Sequence, residues 1–143
     1  MLKESHILIT GARGEVGSEL IKAISKERST QILTLDLHPL ESNISKHVSK
    51  QIIGSILDDK ILKQIHQDYE IKEIYHLAAI LSTESESLPK VAHNVNVNGM
   101  INILELAIKQ SEKNGFNVKF FFPSSIAVYG INKNKDVKIC SEN

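Results

Sequence analysis

Apolar residues along the chain form short continuous runs that alternate with longer stretches of helical periodicity. The runs at residues 6–10 (HILIT) and 31–37 (QILTLDL) are typical of strands buried on both faces of a sheet, and residues 118–122 (VKFFF) predict a further strand. Shorter runs predict two more strands, one at residues 52–53 and one within residues 74–79 (IYHLAA), which also include the turn that leaves the strand. The pattern thus predicts five strands.

Three stretches between these strands have an apolar stripe at helical spacing, which we expect to face the core. Asp58 predicts the N-cap of the second helix, while Pro89 and Gly115 predict the beginning and the cap of the third. Residues 38–50 predict an irregular surface connection. In chain order, the stripes are Val16, Leu20, Ile21 and Ile24; Ile61, Leu62 and Ile65; and Val97, Ile101, Leu104 and Ile108.

The alternation of strands and helices predicts an α/β fold with a doubly wound parallel sheet of about five strands. With 143 residues, the chain has the length of one domain, residues 1–143, and it contains no internal repeat, low-complexity tract or interdomain linker.

A glycine-rich segment, TGARGEVG, joins the first strand to the first helix. Gly11, Gly14 and Gly17 have no Cβ, so a pyrophosphate can approach the helix N-terminus, where free N–H groups and the helix dipole favour negative charge. Asp36 ends the second strand, where a carboxylate can bind the ribose diol of adenosine and repel a 2′-phosphate. The segment predicts dinucleotide binding and favours NAD over NADP. A purely structural glycine turn is the alternative, and Arg13 could hold a phosphate.

Composition excludes several other classes of function. Lysine plus arginine and aspartate plus glutamate each number 17, so no basic surface indicates nucleic acid or an anionic membrane. The N-terminal apolar run is too short for a signal peptide or a membrane span. The single cysteine, Cys140, cannot form an internal disulfide, which favours the cytoplasm, and six scattered histidines do not predict a metal site. We expect a cytoplasmic protein.

Five segments occur in the order found in one enzyme family. They are TGARGEVG, Asp36, HLAA (76–79), VNVNG (95–99) and SSIAVYG (124–130). Over essentially its whole length the chain resembles the extended short-chain dehydrogenase/reductases, the NAD-dependent epimerase/dehydratase family. The segments AAILSTESE and FPSSIAVYG are most similar to the L-threonine 3-dehydrogenase-like branch, whereas sugar-nucleotide epimerases and dehydratases share most of the other motifs. The resemblance implies a Rossmann-type fold with NAD as cofactor and, in the full-length enzyme, a small-molecule substrate.

The resemblance also implies roles for individual residues. Ser125 matches the catalytic serine or threonine, whose hydroxyl hydrogen-bonds the reacting substrate oxygen, and Ser82 would touch substrate in the threonine-type reading. Asn96 would fix the neighbouring structure or contact the cofactor. Ser55 stands where relatives commonly have an aspartate that touches adenine. The implied cofactor-binding residues are Gly11, Arg13, Gly14, Glu15, Val16, Gly17, Asp36, Leu37, Ser55, Ile56, Leu77, Ala78, Ala79, Asn96 and Ser124.

The family's general base is a tyrosine followed by a lysine four residues later, at the start of a helix some 20 or more residues after the VYG segment. Tyr129 and Lys133 have this spacing, but Gly130 and the asparagines after it predict a loop rather than a helix. Only 13 residues follow Gly130, so we expect a truncated sheet, the N-terminal part of a larger enzyme that is inactive alone. A noncatalytic NAD-binding module is the alternative.

Other residues have structural interpretations. Without further elements beside the fifth strand, residues 119–122 would form an exposed apolar edge, which predicts self-association or a homo-oligomer. We expect His76 to pack at a strand end and Cys140 to be inert. Asn94, Asn98 and Asn102 share a helical face and are expected to be solvated or capping residues.

Overall fold

A computed structural model of the chain describes residues 4–27, 29–125 and 128. Its strands and helices alternate as predicted, with additional short helices. In chain order they are β1 (Ser5–Thr10), α1 (Glu15–Glu27), β2 (Gln31–Asp36), α2 (Ser42–Ser45), β3 (Lys50–Ile53), α3 (Asp59–Asp68), β4 (Glu70–His76), α4 (Ser82–Ser87), α5 (Pro89–His93), a π-helical turn (Asn94–Gly99), α6 (Met100–Asn114) and β5 (Lys119–Phe121).

The five strands form one sheet in the order β3-β2-β1-β4-β5, and every neighbouring pair is parallel. The order reverses direction beside β1, since the chain moves outward to β3 and then returns to add β4 on the other side of β1. This is the doubly wound topology that the sequence predicts, and it places the carboxyl ends of β1, β2 and β4 together at one edge of the sheet.

Hydrophobic residues of the central strands divide between two cores, one on each face of the sheet. Leu8 and Ile74 belong to the core beneath α3 and α6, while Ile7 and Ile9 of the same β1 strand belong to the core beneath α1 and α2. Successive side chains of a strand point to opposite faces, and both faces are covered by helices. The continuous apolar runs are explained by this double burial.

The prediction for α3 is confirmed. The Asp58 side chain accepts hydrogen bonds from the backbone N–H groups of Lys60 and Ile61, at 2.8 and 3.3 Å, and so caps the helix. Leu62 and Ile65 are buried against the sheet. Gly115 is likewise confirmed as the cap of α6, where its φ of +73° lies in the left-handed region that glycine adopts most readily.

The prediction for the long helix is wrong about which side faces the core. Val97, Ile101 and Ile108 are exposed, and the buried face of α6 consists of Ile103, Leu106, Ala107 and Gln110. The buried stripe includes a glutamine because Gln110 hydrogen-bonds to backbone groups at the start of β4. An apolar stripe at helical spacing therefore does not identify the buried face of a helix when that face also carries a polar side chain that hydrogen-bonds to buried backbone groups.

Three smaller differences concern element ends and surfaces. Val16 is 66% exposed at the start of α1, so it does not belong to the stripe that buries Ile21 and Ile24. The segment at residues 38–50 contains the short helix α2, whose Ile44 reaches the core. β4 begins at Glu70, four residues earlier than its apolar run suggests.

The strand β5 lies at one edge of the sheet. Phe121 and Phe122 at this edge are exposed, and Phe121 stacks on Tyr75 of β4 with ring centroids 4.5 Å apart. The edge is therefore apolar, as the sequence predicts. Within the described parts of the chain, no helix is long and apolar enough to cross a membrane.

Candidate functional site

The glycine turn between β1 and α1 is packed tightly against two other chain segments. Gly11 has a φ of +66°, and its N–H donates to the Leu35 carbonyl of β2 at 3.1 Å. A Cβ at this position would lie 2.6 Å from the backbone nitrogen of Ala78. Only glycine allows both the left-handed backbone and this close approach to the segment after β4.

The same turn delivers the N-terminus of α1 to the edge of the sheet. Gly14 donates to the Gly11 carbonyl at 3.1 Å and accepts from Ser18 at 2.9 Å. A Cβ on Gly17 would lie 2.6 Å from the Gly11 carbonyl oxygen, so glycine is also needed there. The first N–H groups of α1, which begins at Glu15, therefore stand beside the turn where an anion can accept them.

Asp36, the last residue of β2, has its carboxylate fixed beside the glycine turn. Its two oxygens accept from the backbone N–H groups of Arg13, at 2.9 Å, and of His38, at 3.2 Å. These bonds orient the carboxylate without a cationic side chain. Its remaining lone pairs can accept hydrogen bonds from a ligand.

A cleft of about 490 Å³ runs along the carboxyl ends of β1, β2 and β4. Ten of the predicted cofactor-binding residues line it: Gly11, Arg13, Gly14, Asp36, Leu37, Ser55, Ile56, Leu77, Ala78 and Ala79. The structure thus brings together residues from four separate chain segments. The other predicted residues do not line the cleft: Glu15 and Val16 are exposed at the start of α1, Gly17 is buried beneath the turn, Asn96 contacts Ile80, and Ser124 follows β5.

Five lining residues were missed by the sequence analysis: Leu35, Gly54, Ile80, Val91 and Val95. Gly54 directly follows β3, so its position at a carboxyl strand end was a usable signal. Val91 and Val95 are one helical turn apart and come from the other side of the cleft; Val95 begins the VNVNG motif, whereas no motif includes Val91.

Ser55 begins a turn that follows β3. The Ser55 hydroxyl oxygen accepts from the N–H of Leu57 at 3.1 Å, and its carbonyl accepts from the N–H of Asp58 at 3.1 Å. Ile56, at the middle of this turn, lines the cleft and packs in the core beneath α6. Ser55 therefore has a local structural role in addition to any contact with a ligand.

Asn96 holds the segment that leaves β4. Its side-chain oxygen accepts from the N–H of Ile80 at 2.7 Å, and its side-chain N–H donates to the carbonyl of the same residue at 2.9 Å. Asn96 lies in the π-helical turn, a local widening that is frequent at functional sites. Of the two predicted roles, fixing the neighbouring structure is the one visible here.

A buried histidine supports the floor of the cleft. His76 Nδ1 lies 2.7 Å from the Thr10 hydroxyl, which also accepts from the N–H of Ala78 at 3.4 Å. Burial lowers the pKa of His76 to about 4. The imidazole is neutral near pH 7, and its Nδ1 shares a hydrogen bond with the Thr10 hydroxyl. His76 thus packs at a strand end, as predicted.

Three of the predicted serines, Ser82, Ser124 and Ser125, lie outside the cleft lining. Ser124 and Ser125 are exposed beyond the carboxyl end of β5, and the Ser125 carbonyl accepts from the N–H of Val128 at 3.1 Å. Ser82 is exposed at the first position of α4. Tyr129, Lys133 and Cys140 lie outside the described residues.

The chemistry of the site suits a nucleotide and not a metal ion. Among the described residues, no group of three or more histidine, cysteine, aspartate or glutamate side chains could hold a metal. By contrast, the glycine turn has no room for a Cβ at Gly11, so the backbone is open there to a ligand. The Asp36 carboxylate, oriented by the N–H of Arg13, lies beside this turn. The doubly wound sheet and this cleft define a nucleotide-binding Rossmann-type fold.

Comparison with known proteins agrees with this class. The profile of the NAD dependent epimerase/dehydratase family matches residues 7–142. An uncharacterized epimerase/dehydratase of Staphylococcus aureus (strain USA300) is 31% identical over 125 residues, which are 87% of this chain and 37% of that protein. The chain belongs to the NAD dependent epimerase/dehydratase family, and the predicted cofactor, NAD, is confirmed at the level of the family.

Solved structures similar to this chain include L-threonine dehydrogenases. A monomeric L-threonine 3-dehydrogenase from a metagenome has 38% identity and a TM-score of 0.71, covering 87% of this chain and 37% of its own. The L-threonine dehydrogenase of Clostridium difficile has 36% identity and a TM-score of 0.74, covering 90% of this chain and 39% of its own. The chain therefore spans less than two fifths of the length of these relatives, and the resemblance to the threonine dehydrogenase branch is confirmed.

Proposed function

We propose that residues 1–143 form an NAD-binding domain that binds the dinucleotide along the cleft. The Asp36 carboxylate accepts hydrogen bonds from the adenosine ribose, with Ser55 and Ile56 beside the adenine. The N-terminus of α1 binds the pyrophosphate, and Ala78 and Ala79 line the path toward the nicotinamide. The observation that carries this proposal is the orientation of the Asp36 carboxylate by the backbone of Arg13, beside the glycine turn.

Calorimetry with NAD tests the binding site. Ala79 lines the cleft and is exposed, so Ala79→Trp should fill the space and weaken NAD binding at least about tenfold, since overfilled sites lose ligand contacts. Ala23 is exposed on α1 and does not line the cleft, which makes Ala23→Trp a matched control. Equal affinity of the two variants, or no binding of NAD by the unmodified chain, would contradict the proposal.

For the whole protein, we propose hydride transfer between a hydroxyl-bearing carbon of L-threonine and the nicotinamide. The similarity to L-threonine dehydrogenases over most of this chain supports the substrate. NAD would supply the acceptor for the hydride, and the proton of the substrate hydroxyl would pass to a general base, the role that the family gives to its tyrosine. Ser125, beyond the carboxyl end of β5, would donate a hydrogen bond to the reacting oxygen of the substrate, and Ser82 would contact the substrate. Ser124 would contact the cofactor.

We further propose that residues 1–143 alone bind NAD without turnover. The proposal rests on Gly130, which directly follows Tyr129 and disfavours the helix that would bring Lys133 beside it. Absorbance of reduced NAD, followed with L-threonine as substrate, should stay at background. Activity that Tyr129→Phe abolishes would show instead that this tyrosine acts as the base.

Two alternatives make different predictions in the same assays. A sugar-nucleotide epimerase or dehydratase is supported by the family and by the epimerase/dehydratase of Staphylococcus aureus. Such an enzyme would convert a UDP-sugar and ignore L-threonine. A noncatalytic NAD-binding module would bind NAD in the cleft and lose affinity in Ala79→Trp as proposed above. It would convert neither L-threonine nor a UDP-sugar, even in a longer chain that contains the family's tyrosine–lysine pair.

Self-association through the β5 edge is also a proposal, as is a cytoplasmic location. Phe122 is 52% exposed beyond β5, and an apolar strand edge can pair with a second chain. Phe122→Lys should shift the mass measured by light scattering toward the monomer. Phe116→Lys, at an exposed phenylalanine after α6, is the control. A wild-type chain that is monomeric at high concentration would contradict this proposal.

A further inference from the structure

Asn102 on α6 reaches across to the turn that flanks the proposed adenine site. Its side-chain N–H donates to the backbone carbonyl of Ile56 at 3.1 Å. The contact joins residues 46 positions apart in the chain. Asn102 is therefore neither merely solvated nor a helix cap, the two roles predicted from its sequence position, but forms a contact between α6 and this turn.

The turn at residues 55–57 packs against the core through Ile56 and Leu57, and its other hydrogen bonds are made within the turn or to β2. The Ser55 side chain and carbonyl hold it internally, through the N–H groups of Leu57 and Asp58. On the other side, the N–H of Gly54 donates to the Asp36 carbonyl at 2.8 Å. The start of the turn is therefore bonded to the backbone of Asp36, the residue whose side chain we propose binds the ribose, and Asn102 supplies a hydrogen bond from α6 to the same turn.

The absence of a side chain at Gly99 lets Ile56 pack close to the helix that carries Asn102. A Cβ on Gly99, just before α6, would lie 2.4 Å from Cδ1 of Ile56. Glycine therefore lets the Ile56 side chain lie directly on the helix, and Ile56 is nearly fully buried as a result. With its side chain over Gly99 and its carbonyl on Asn102, Ile56 is held at two points.

The neighbouring asparagines provide an internal contrast. Asn98 is exposed one helical turn before Asn102, and its side-chain N–H donates to the Asn94 side-chain oxygen at 2.8 Å. Neither Asn94 nor Asn98 lines the cleft. Among these three asparagines on one helical face, Asn102 is the one that reaches the turn at residues 55–57.

We propose that Asn102 is a positioning residue that fixes the turn at residues 55–57 for recognition of the adenosine half of the dinucleotide. The proposal rests on NAD binding in the cleft. It assigns to α6 a part in ligand recognition even though Asn102 does not line the cleft. Asn102 contributes to affinity by holding the turn in place before the ligand binds, because ordering a mobile turn during binding would cost free energy.

Hydrogen exchange of the ligand-free chain tests the restraint directly. Asn102→Leu removes the donor at similar size, and Asn102→Asp replaces it with an acceptor. In both variants the amides of Leu57 and Asp58 should exchange at least about fivefold faster, because the turn opens more often. Asn98→Leu and Asn98→Asp make the same changes one turn away and should leave these rates unchanged. Unchanged exchange in the Asn102 variants overturns the proposal.

Ligand fragments test recognition separately from general stability. ADP-ribose contains the adenosine half, and nicotinamide mononucleotide does not. Both Asn102 variants should bind ADP-ribose about fivefold more weakly, the scale of one lost hydrogen bond. Their affinity for nicotinamide mononucleotide should stay within about twofold, as expected for distant sites. A merely structural role for Asn102 would weaken both ligands equally.

The outcomes distinguish this inference from the proposed function. If the wild-type chain binds ADP-ribose and the Asn102 variants match it, the role of Asn102 is overturned while NAD binding stands. If the wild-type chain binds neither fragment nor NAD, both proposals fail. Selective weakening of ADP-ribose, with the Asn98 variants unaffected, is the result that we expect.

Discussion

Two regions border the same cleft and are built in different ways. The glycine turn at residues 11–17 depends on the backbone, since its glycines permit close contacts with neighbouring backbone atoms and the turn leads directly into the N-terminus of α1. The long helix from α5 to α6 uses side-chain amides. Asn96 holds Ile80, Asn102 holds Ile56 and Gln110 holds the start of β4.

The difference explains why one region could be read from the sequence and the other could not. A glycine turn has a local spacing between a strand and a helix, so its constraint lies within a few residues. The amide contacts of Asn102 and Gln110 join residues 46 and 39 positions apart. No local pattern identifies such partners.

Gly11→Ala should have the largest effect on the free energy of unfolding, and it tests the region built from backbone, the glycine turn. The alanine would adopt an unfavourable φ and place its Cβ 2.6 Å from the Ala78 nitrogen. Strain and overpacking together should reduce the free energy of unfolding by about 4 kcal/mol. Chemical denaturation measures this loss.

Gly115→Ala separates the two causes. Gly115 has a similar φ, +73°, but no atom lies within 4 Å of a Cβ built there. Its substitution should therefore cost only the conformational strain, about 1 kcal/mol. Equal losses at Gly11 and Gly115 would mean that the close approach to Ala78 is unimportant.

Gln110→Leu tests the side-chain half. Gln110 is 0% exposed, accepts from the N–H of Ile71 at 3.1 Å and donates to the carbonyl of Tyr69 at 3.0 Å. Leucine would leave both buried backbone groups without this partner, so we expect a loss of about 3 kcal/mol in the free energy of unfolding.

The control for Gln110→Leu is the opposite change on the same helix, Ile108→Gln, which replaces an apolar residue with a polar one. Ile108 is 58% exposed, so its substitution should change stability by less than about 0.5 kcal/mol. The apolar stripe read from the sequence predicts the reverse order of these two effects. Denaturation of both variants therefore decides between the stripe and the structure.

The dependence of stability on pH tests the burial of His76, which hydrogen-bonds to Thr10 at the end of β1. The pKa of His76 is about 4 in the folded chain, against an ordinary value of 6.5, because burial disfavours the charged imidazole. Between these values the unfolded chain binds more protons, so stability falls as the pH is lowered. From pH 6.5 to about pH 5 the loss attributable to His76 should be about 1.5 kcal/mol.

The pH dependence of His76→Gln isolates this contribution. The variant cannot titrate at this position, so its stability should fall less steeply than that of the wild-type chain over the same interval. Parallel curves for the two proteins would show that His76 has an ordinary pKa in the folded chain.

The sequence predicted the fold well because its strands are buried on both faces. The continuous apolar runs of β1 and β2 follow from helices covering both sides of the sheet. The Asp58 cap was predicted for a similar reason, since a cap bonds to N–H groups two and three residues away. Local constraints leave local patterns.

The cleft was predicted only in part. Residues at the carboxyl ends of strands, such as Asp36 and Ala78, follow from topology. Val91 and Val95 depend on how α5 and the π-helical turn lie over the sheet, which is set by contacts such as that of Asn96 with Ile80. That geometry required the three-dimensional structure.

Among the variants that are not controls, Asp36→Asn should have the smallest effect, and it sharpens the comparison where the two kinds of construction meet. The side chain of Asp36 is held by backbone N–H groups of Arg13 and His38. The amide keeps the size but loses the charge, so it should no longer repel a 2′-phosphate. We expect the preference for NAD over NADP to fall by about tenfold, or about 1.4 kcal/mol. Asp59→Asn, which removes the same charge from the start of α3 and does not line the cleft, should leave the preference unchanged. Calorimetric titration of each variant with both dinucleotides measures the ratio. If Asp59→Asn changed it as much as Asp36→Asn, overall charge and not the oriented carboxylate would determine cofactor choice.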